Sequence, residues 1–271
     1  MVTCSNIGYN GRLGNQIFQF ALCFGVSKKL GYEMVLPEHN LNTKILHQND
    51  TLNHMAYCNL LECFNINLKY FGNIKTNYRF DEKQFHFDST VFNVSDNIDF
   101  NGYFQSEKYF LHVKDDLLNE LKIKPEILNI AQKILPSNDK ELVSIHIRRG
   151  DYVLLPNHYP NITPEYVENV INTHFNNSKY HFCVFSDDIN WCKNIWGNRE
   201  NFTIFYGADQ FVDFAGISLC QHHIISNSTF SWWASYISSH KNKIIIMPEK
   251  WFGHAIQHNV HDIYPEGVIK M

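Results

Sequence analysis

No stretch of this chain reaches the roughly 18 uninterrupted apolar residues that a bilayer-spanning helix requires. The longest apolar run, Ile17 to Val26, contains Gln19 and continues into Ser27-Lys28-Lys29. The opening residues, MVTCSNIGYNGRLGNQ, have neither the basic nor the apolar region of a secretion signal. An excess of positive charge is also missing: 23 Lys and Arg face 27 Asp and Glu, for a net charge of −4. That balance gives no bulk attraction for nucleic acid or an anionic membrane, so any anionic ligand must be held by a local arrangement. The seven cysteines are odd in number. Without a secretion signal they read as free thiols in a reducing, cytoplasmic setting.

Several signatures of common enzyme classes are absent as well. Gly8, Gly11 and Gly14 are spaced G-x-x-G-x-x-G, not G-x-G-x-x-G, and no P-loop Lys follows, which removes the nicotinamide and P-loop readings. G-x-S-x-G, the kinase catalytic loop with its D-F-G, and H-E-x-x-H are all missing. His54, Cys58 and Cys63 suggest zinc, but no second ligand pair of the usual spacing accompanies them.

What is present is a well-furnished core: 271 residues, 44% hydrophobic, with 21 Phe, 14 Tyr and 5 Trp. Disorder is excluded by that apolar surface. Val2 to Ser5 reads as a strand. Ile17, Phe18, Ala21, Leu22 and Gly25 recur at helical spacing up to Gly31, and Glu33 to Leu36 returns as a strand. A β-α-β start points to a parallel sheet. Residues 41–110 alternate aromatic and polar residues and read as irregular structure with short strands. Residues 115–134 read as helix, a restart at Pro125, and helix. Pro136-Ser137-Asn138-Asp139 is the linker candidate, dividing the chain into domains 1–138 and 139–271. Beyond it the order is regular: strand Leu142–Ile147, helix Pro164–Phe175 with Thr163 as N-cap, strand His181–Phe185, helix Asp213–Cys220, strand Ile224–Ile225, helix Thr229–Ser238 and strand Ile244–Met247. That alternation predicts an α/β class with two Rossmann-like domains and a cleft between them.

Four stretches carry candidate chemistry. His146-Ile-Arg148-Arg149-Gly150-Asp151-Tyr152 follows the Leu142 strand, with His146 and Arg148 on one face. Ligands bind beyond the carboxyl ends of such strands, and an Arg there can grip phosphate oxygens bidentately while Gly150 lets the backbone approach. A solvated surface turn is the bland alternative. Ile225-Ser226-Asn227-Ser228-Thr229-Phe230 runs from a strand into a helix start, which is an anion site by its backbone N–H groups, or simply a capped helix. Phe185-Ser186-Asp187-Asp188 offers two acids that bind a metal–diphosphate, hydrogen-bond a sugar or base, or cap the next helix. Asn15 and Gln16, after the glycine loop, present amides to a ligand or cap their helix.

Taken in order, these stretches resemble glycosyltransferase family 11, the α-1,2-fucosyltransferases. The likeness rests on Gly11-Arg-Leu-Gly-Asn-Gln-Ile-Phe-Gln-Phe-Ala21, Gly102-Tyr-Phe-Gln-Ser106 with Tyr109-Phe110, His146 to Tyr152, and Phe185 to Asp188. Asp213-Phe214 and Cys220-x-His222, continuing through Ile225-Ser-Asn-Ser-Thr-Phe-Ser-Trp-Trp-Ala234, complete it. The resemblance implies a GT-B fold, GDP-β-L-fucose as donor, the 2-hydroxyl of a terminal galactoside as acceptor, and inversion without cofactor or essential metal. It places Arg148 on the β-phosphate, Asp213 near the guanine, and Ser228, Thr229 and Phe230 around base and diphosphate. Asn15 then faces the sugar–phosphate end, and Asp187 and Asp188 are donor-site acids. Gln16, His146 and Asn227 complete the donor-binding candidates, with Asp151 the candidate base. The acceptor would be an oligosaccharide, glycolipid or glycoprotein glycan. Without a membrane span the expectation is a soluble, cytoplasmic enzyme, with peripheral membrane contact left open. The alternatives are a same-fold transferase for another GDP-deoxysugar or linkage, and a catalytically silent GDP-sugar or glycan-binding module.

Overall fold

The structure, a computed structural model, describes residues 1–46, 55–205 and 209–271, so His54 lies outside the described residues. The chain divides into two compact units, residues 1–124 with 258–265 and residues 125–257 with 266–271.

The first unit holds a parallel three-stranded sheet. Val2–Thr3 (β1), Tyr78–Asp81 (β2) and Ile98–Asn101 (β3) lie in the order β1-β3-β2, and Met34 bridges Val2 on the outer side. Helix α1, Leu13–Leu30, is apolar over most of its circumference and buried from Leu13 almost to Ser27. Gly31 ends it in the left-handed conformation at φ 72°, donating its N–H to the Ser27 carbonyl. A Cβ on Gly25 would collide with the Tyr109 carbonyl, so the helix meets the Glu107–Tyr109 turn backbone to backbone. Within residues 41–110, read as irregular structure with short strands, β2 and β3 are such short strands, here paired in parallel. Their register with β1 is fixed by tertiary pairing, Val2 opposite Ile98, and not by any local alternation.

The second unit contains Pro125–Ile134 (α2), Glu141–Ile147 (β4), Gly150–Leu154 (α3), Pro164–His174 (α4), Tyr180–Ser186 (β5), Ile189–Trp196 (α5), Phe202–Ile204 (β6), Gln210–Leu219 (α6), His222–Ile224 (β7), Thr229–Tyr236 (α7), Ile245–Met247 (β8) and Ile269–Lys270 (β9). The six strands are all parallel, in the order β6-β5-β4-β7-β8-β9. Chain direction across the sheet reverses between β4 and β7, the switch point where doubly wound folds bind ligands. Val143, Ile145 and Ile147 of β4 join Val184, Ile224 and Ile246 in the core, where Val167, Val170 and Ile171 of α4 cover them. Burying each such side chain contributes about 1.5–3 kcal/mol.

Helix starts follow their caps. Thr163 Oγ1 accepts from Tyr166 N at 3.2 Å, with Pro164 in the first turn. Asp209 accepts from Phe211 N at 2.9 Å, which starts α6 at Gln210, ahead of the expected Asp213. Strands β6 and β9, only three and two residues long, have no counterpart in the sequence reading. Helix α2 packs against α6, and the units divide before Pro125, ahead of the Pro136–Asp139 turn.

Candidate functional site

The carboxyl ends of β4, β5 and β7 gather most of the candidate residues of the second unit. His146 is buried, with Nδ1 2.7 Å from Ser226 Oγ and its ring 5.6 Å from that of Phe230. Burial, reinforced by the Arg148 charge and opposed by Asp187, lowers its pKa to about 4. The imidazole is therefore neutral near pH 7 and ties the end of β4 to the turn after β7.

Arg148 and Arg149 are not a solvated pair: their side chains are only 18% and 19% exposed. The β4–β5 register runs through Ile147 opposite Ser186, and continuing it sets Arg148 opposite Asp187 and Arg149 opposite Asp188. The ion pairs follow that register. Arg148 binds Asp187 through Nη1 and Asp151 through Nη2, with its guanidinium 5.6 Å from the Tyr152 ring centroid. Arg149 donates Nε to Asp188 Oδ2 at 2.9 Å and its backbone N–H to Asp187 Oδ1 at 2.8 Å, while its guanidinium lies 4.2 Å over Trp191. Asp188 also caps α5, accepting from Trp191 N at 3.2 Å. The Arg149 hydrogen bond, aided by that cap, holds its carboxyl below the ordinary range. Both acids thus answer the arginines. Among the described residues no group of three His, Cys, Asp or Glu side chains is arranged to hold a metal ion. A Cβ on residue 150 would fall 2.7 Å from Asp187 Oδ2, so any larger residue there would push that carboxylate aside.

The polar run after β7 does not cap its helix. Ser228 is the N-cap residue of α7, yet its side chain makes no capping hydrogen bond. Ser226 is turned to His146. Asn227 donates Nδ2 to the Trp251 carbonyl at 2.9 Å, while its own carbonyl accepts from Tyr152 Oη at 3.0 Å. The first turn of α7, at Thr229 and Phe230, therefore brings its partial positive charge to the switch point without a capping hydrogen bond from Ser228 Oγ. Phe230 meets Phe214 of α6 edge-on at 5.3 Å, which brings the two helices together. Asp213, on α6, has its pKa pushed up to about 7 by burial and then by the Asp209 charge.

Asn15 and Gln16 belong to the first unit. Asn15 Oδ1 accepts from Gln105 Nε2 at 3.0 Å. Gln16 is buried, donates Nε2 to the Tyr57 carbonyl at 3.0 Å and accepts from Asn59 N at 3.0 Å, so its amide stitches the glycine loop to residues 57–59. This is neither the helix cap nor the outward-facing donor that its position suggested. Four participants went unread in the sequence as partners: Arg149, Tyr152, Ser226 and Trp251. Only the β4–β5 register and the long-range fold reveal them.

A cationic group at a Rossmann switch point, beside an uncapped helix start, can hold a diphosphate and stabilise negative charge growing on it. Comparison with known proteins assigns the class. The structure shares its fold with fucosyltransferases: POFUT1 in complex with GDP-fucose (TM-score 0.52, 15% identity, 99% of this chain and 96% of that one) and NodZ α-1,6-fucosyltransferase soaked with GDP-fucose (0.51, 11%, 87% and 91%). In sequence it is 29% identical to an α-1,2-colitosyltransferase of Escherichia coli over 89% of this chain and 90% of that protein. It is 25% identical to the O-antigen biosynthesis glycosyltransferase WbnK of the same species, over 90% and 93%. It is also 24% identical to a bovine (Bos taurus) galactoside 2-α-L-fucosyltransferase, SEC1, over 86% of this chain and 64% of that longer protein. The protein is a glycosyltransferase of α/β, GT-B type. The family model for glycosyl transferase family 11 matches residues 3–267, and the chain belongs to that family. Among the described residues no helix is long and apolar enough to cross a membrane.

Proposed function

We propose that this protein transfers L-fucose from GDP-β-L-fucose to the 2-hydroxyl of a terminal galactoside on a glycan, with inversion and without a metal. The observation that carries the reading is Arg148, held by two carboxylates at the β4–β7 switch point beside the uncapped start of α7. In this reading Arg148 takes the β-phosphate and the N–H groups at Ser228–Thr229 face the diphosphate. Phe230 lies against the nucleotide, and the Asp213 carboxylate accepts from the guanine N–H groups. The acceptor hydroxyl oxygen bonds to the fucose anomeric carbon as the bond from that carbon to the β-phosphate oxygen breaks. The electron pair of that bond leaves on GDP, where Arg148 and the helix start stabilise it. The hydroxyl proton passes to a base, for which Asp151 is the candidate. The first unit serves the acceptor side, and Asn15 within it is a donor-binding candidate for the sugar–phosphate end. The acceptor is an oligosaccharide or the glycan of a glycolipid or glycoprotein.

The α-1,2 linkage is supported by the names of the bovine and bacterial relatives alike. The donor has a second reading, because the colitosyltransferase is more similar to this chain than the bovine fucosyltransferase. That reading keeps the mechanism and replaces fucose by another GDP-deoxysugar. The deciding experiment offers the purified protein GDP-fucose, GDP-colitose and GDP-mannose with a panel of β-galactosides, with and without EDTA. Fucosyl transfer equal in both buffers is expected. Preference for GDP-colitose selects the second reading, and strict dependence on Mn²⁺ or Mg²⁺ overturns the metal-free scheme.

A further inference from the structure

The two carboxylates on Arg148 are not equivalent in how they are built. Asp187 comes from the neighbouring strand end and is fixed on both oxygens: Oδ1 accepts the Arg149 backbone N–H at 2.8 Å and Oδ2 takes Arg148 Nη1. Its Oδ2 also sits where a side chain on residue 150 would have to go, and the glycine there leaves the space to it. Asp151 comes from the first turn of the short helix α3, three residues after Arg148, and binds the other guanidinium nitrogen, Nη2. Its side chain is the more exposed of the two, 33% against 27%. A phosphate that approaches the guanidinium on its Nη2 side meets the Asp151 carboxylate there, a like charge that competes for the same nitrogen.

We infer that Asp187 is the positioning residue that aims Arg148 in every state, while Asp151 is a resident counter-ion that the diphosphate of the donor displaces. The ligand recognised at that nitrogen is a nucleoside diphosphate. The inference rests on the donor reading above and adds an ordering to it: one acid assists binding and its neighbour competes with it. The arrangement keeps an unliganded arginine neutralised, and it makes occupation by a weaker anion compete with an intramolecular partner of high effective concentration. Donor binding releases the Asp151 carboxylate from Arg148.

Isosteric amides separate the two roles, because each keeps shape and an acceptor oxygen while losing the charge. In calorimetric titrations with GDP, Asp151→Asn is expected to bind about three- to fivefold more tightly than the unmodified protein, the scale of a partly exposed ion pair. Asp187→Asn is expected to bind about tenfold more weakly, the scale of a charge-assisted contact partly lost. Titration with GMP, which lacks the β-phosphate, is expected to show little of either change. General damage to the fold would weaken both ligands alike. Thermal melts confirm folding, and if Asp187→Asn fails to fold, Asp151→Asn alone decides by the sign of its effect. Weaker GDP binding by Asp151→Asn overturns the inference, as does unchanged binding by a folded Asp187→Asn. Failure of the donor reading looks different: the unmodified protein would not bind GDP, or Arg148→Ala would bind it equally well.

Discussion

Asp213 is an acid kept partly protonated at neutral pH, and under the proposed function this makes recognition of the guanine depend on pH. Burial on α6 and the nearby Asp209 charge raise its pKa from the usual 3.8 to about 7. Only the ionised carboxylate can accept from both guanine N–H groups. With a pKa near 7, about nine tenths of the free protein is competent at pH 8 and about one tenth at pH 6. The apparent dissociation constant is therefore expected to rise about tenfold between those values. Guanosine is the right ligand for the titration, because a terminal phosphate itself titrates near pH 6. Asp213→Asn is expected to bind about 10- to 100-fold more weakly at pH 8 and to lose most of the pH dependence. The same group has a stability signature of definite sign. A carboxyl whose folded pKa lies above its unfolded one favours folding at low pH and loses that contribution as pH rises from about 4 to about 7. Asp213→Asn should therefore melt higher than the unmodified protein at pH 8, by at least about 2 °C. Identical pH profiles for guanosine binding in the two proteins would refute the reasoning.

Two further outcomes are expected. Arg148→Ala should lose about 10²- to 10³-fold in transfer rate while its circular dichroism stays native, and substantial turnover by the folded variant would remove Arg148 from the mechanism. Gly25→Ala should destabilise the first unit, since the new methyl group meets the Tyr109 carbonyl and neither backbone can yield. A cost of about 1–3 kcal/mol corresponds to a melting temperature lower by about 3–10 °C, and an unchanged melt would deny the close approach.

Legibility in the sequence followed how local each determinant is. Helix α4 announces itself through Thr163 and Pro164, and α1 through its apolar spacing and Gly31, because capping and chain reversal act within a few residues. Strand β4 is legible as an apolar-leaning stretch, Leu142 to Ile147. The two-strand addition of β2 and β3 to β1 is not, since only pairing across some 95 residues makes Ile98 a neighbour of Val2. The same division holds at the site. The motifs singled out His146, Arg148, Asp187 and the Ser226–Thr229 run as residues of interest. What each touches depended on the register between β4 and β5, which no local pattern encodes. Gln16 shows the converse: a donor-rich side chain at a glycine loop that the fold uses to join two of its own segments.

The pairing of Arg148 with Asp187 and of Arg149 with Asp188 also bears on how the second sheet forms. Strands β4 and β5 are buried almost throughout, so sliding one past the other by a residue would exchange one apolar neighbour for another. The charges at their ends remove that tolerance. A slip of one residue would set one arginine against Ser186 or leave one aspartate without a cation, where the arginines are largely shielded from water. The residues of the candidate anion site thereby proofread the sheet, and a chain that has made these ion pairs has, by the same contacts, verified the alignment of its two central strands.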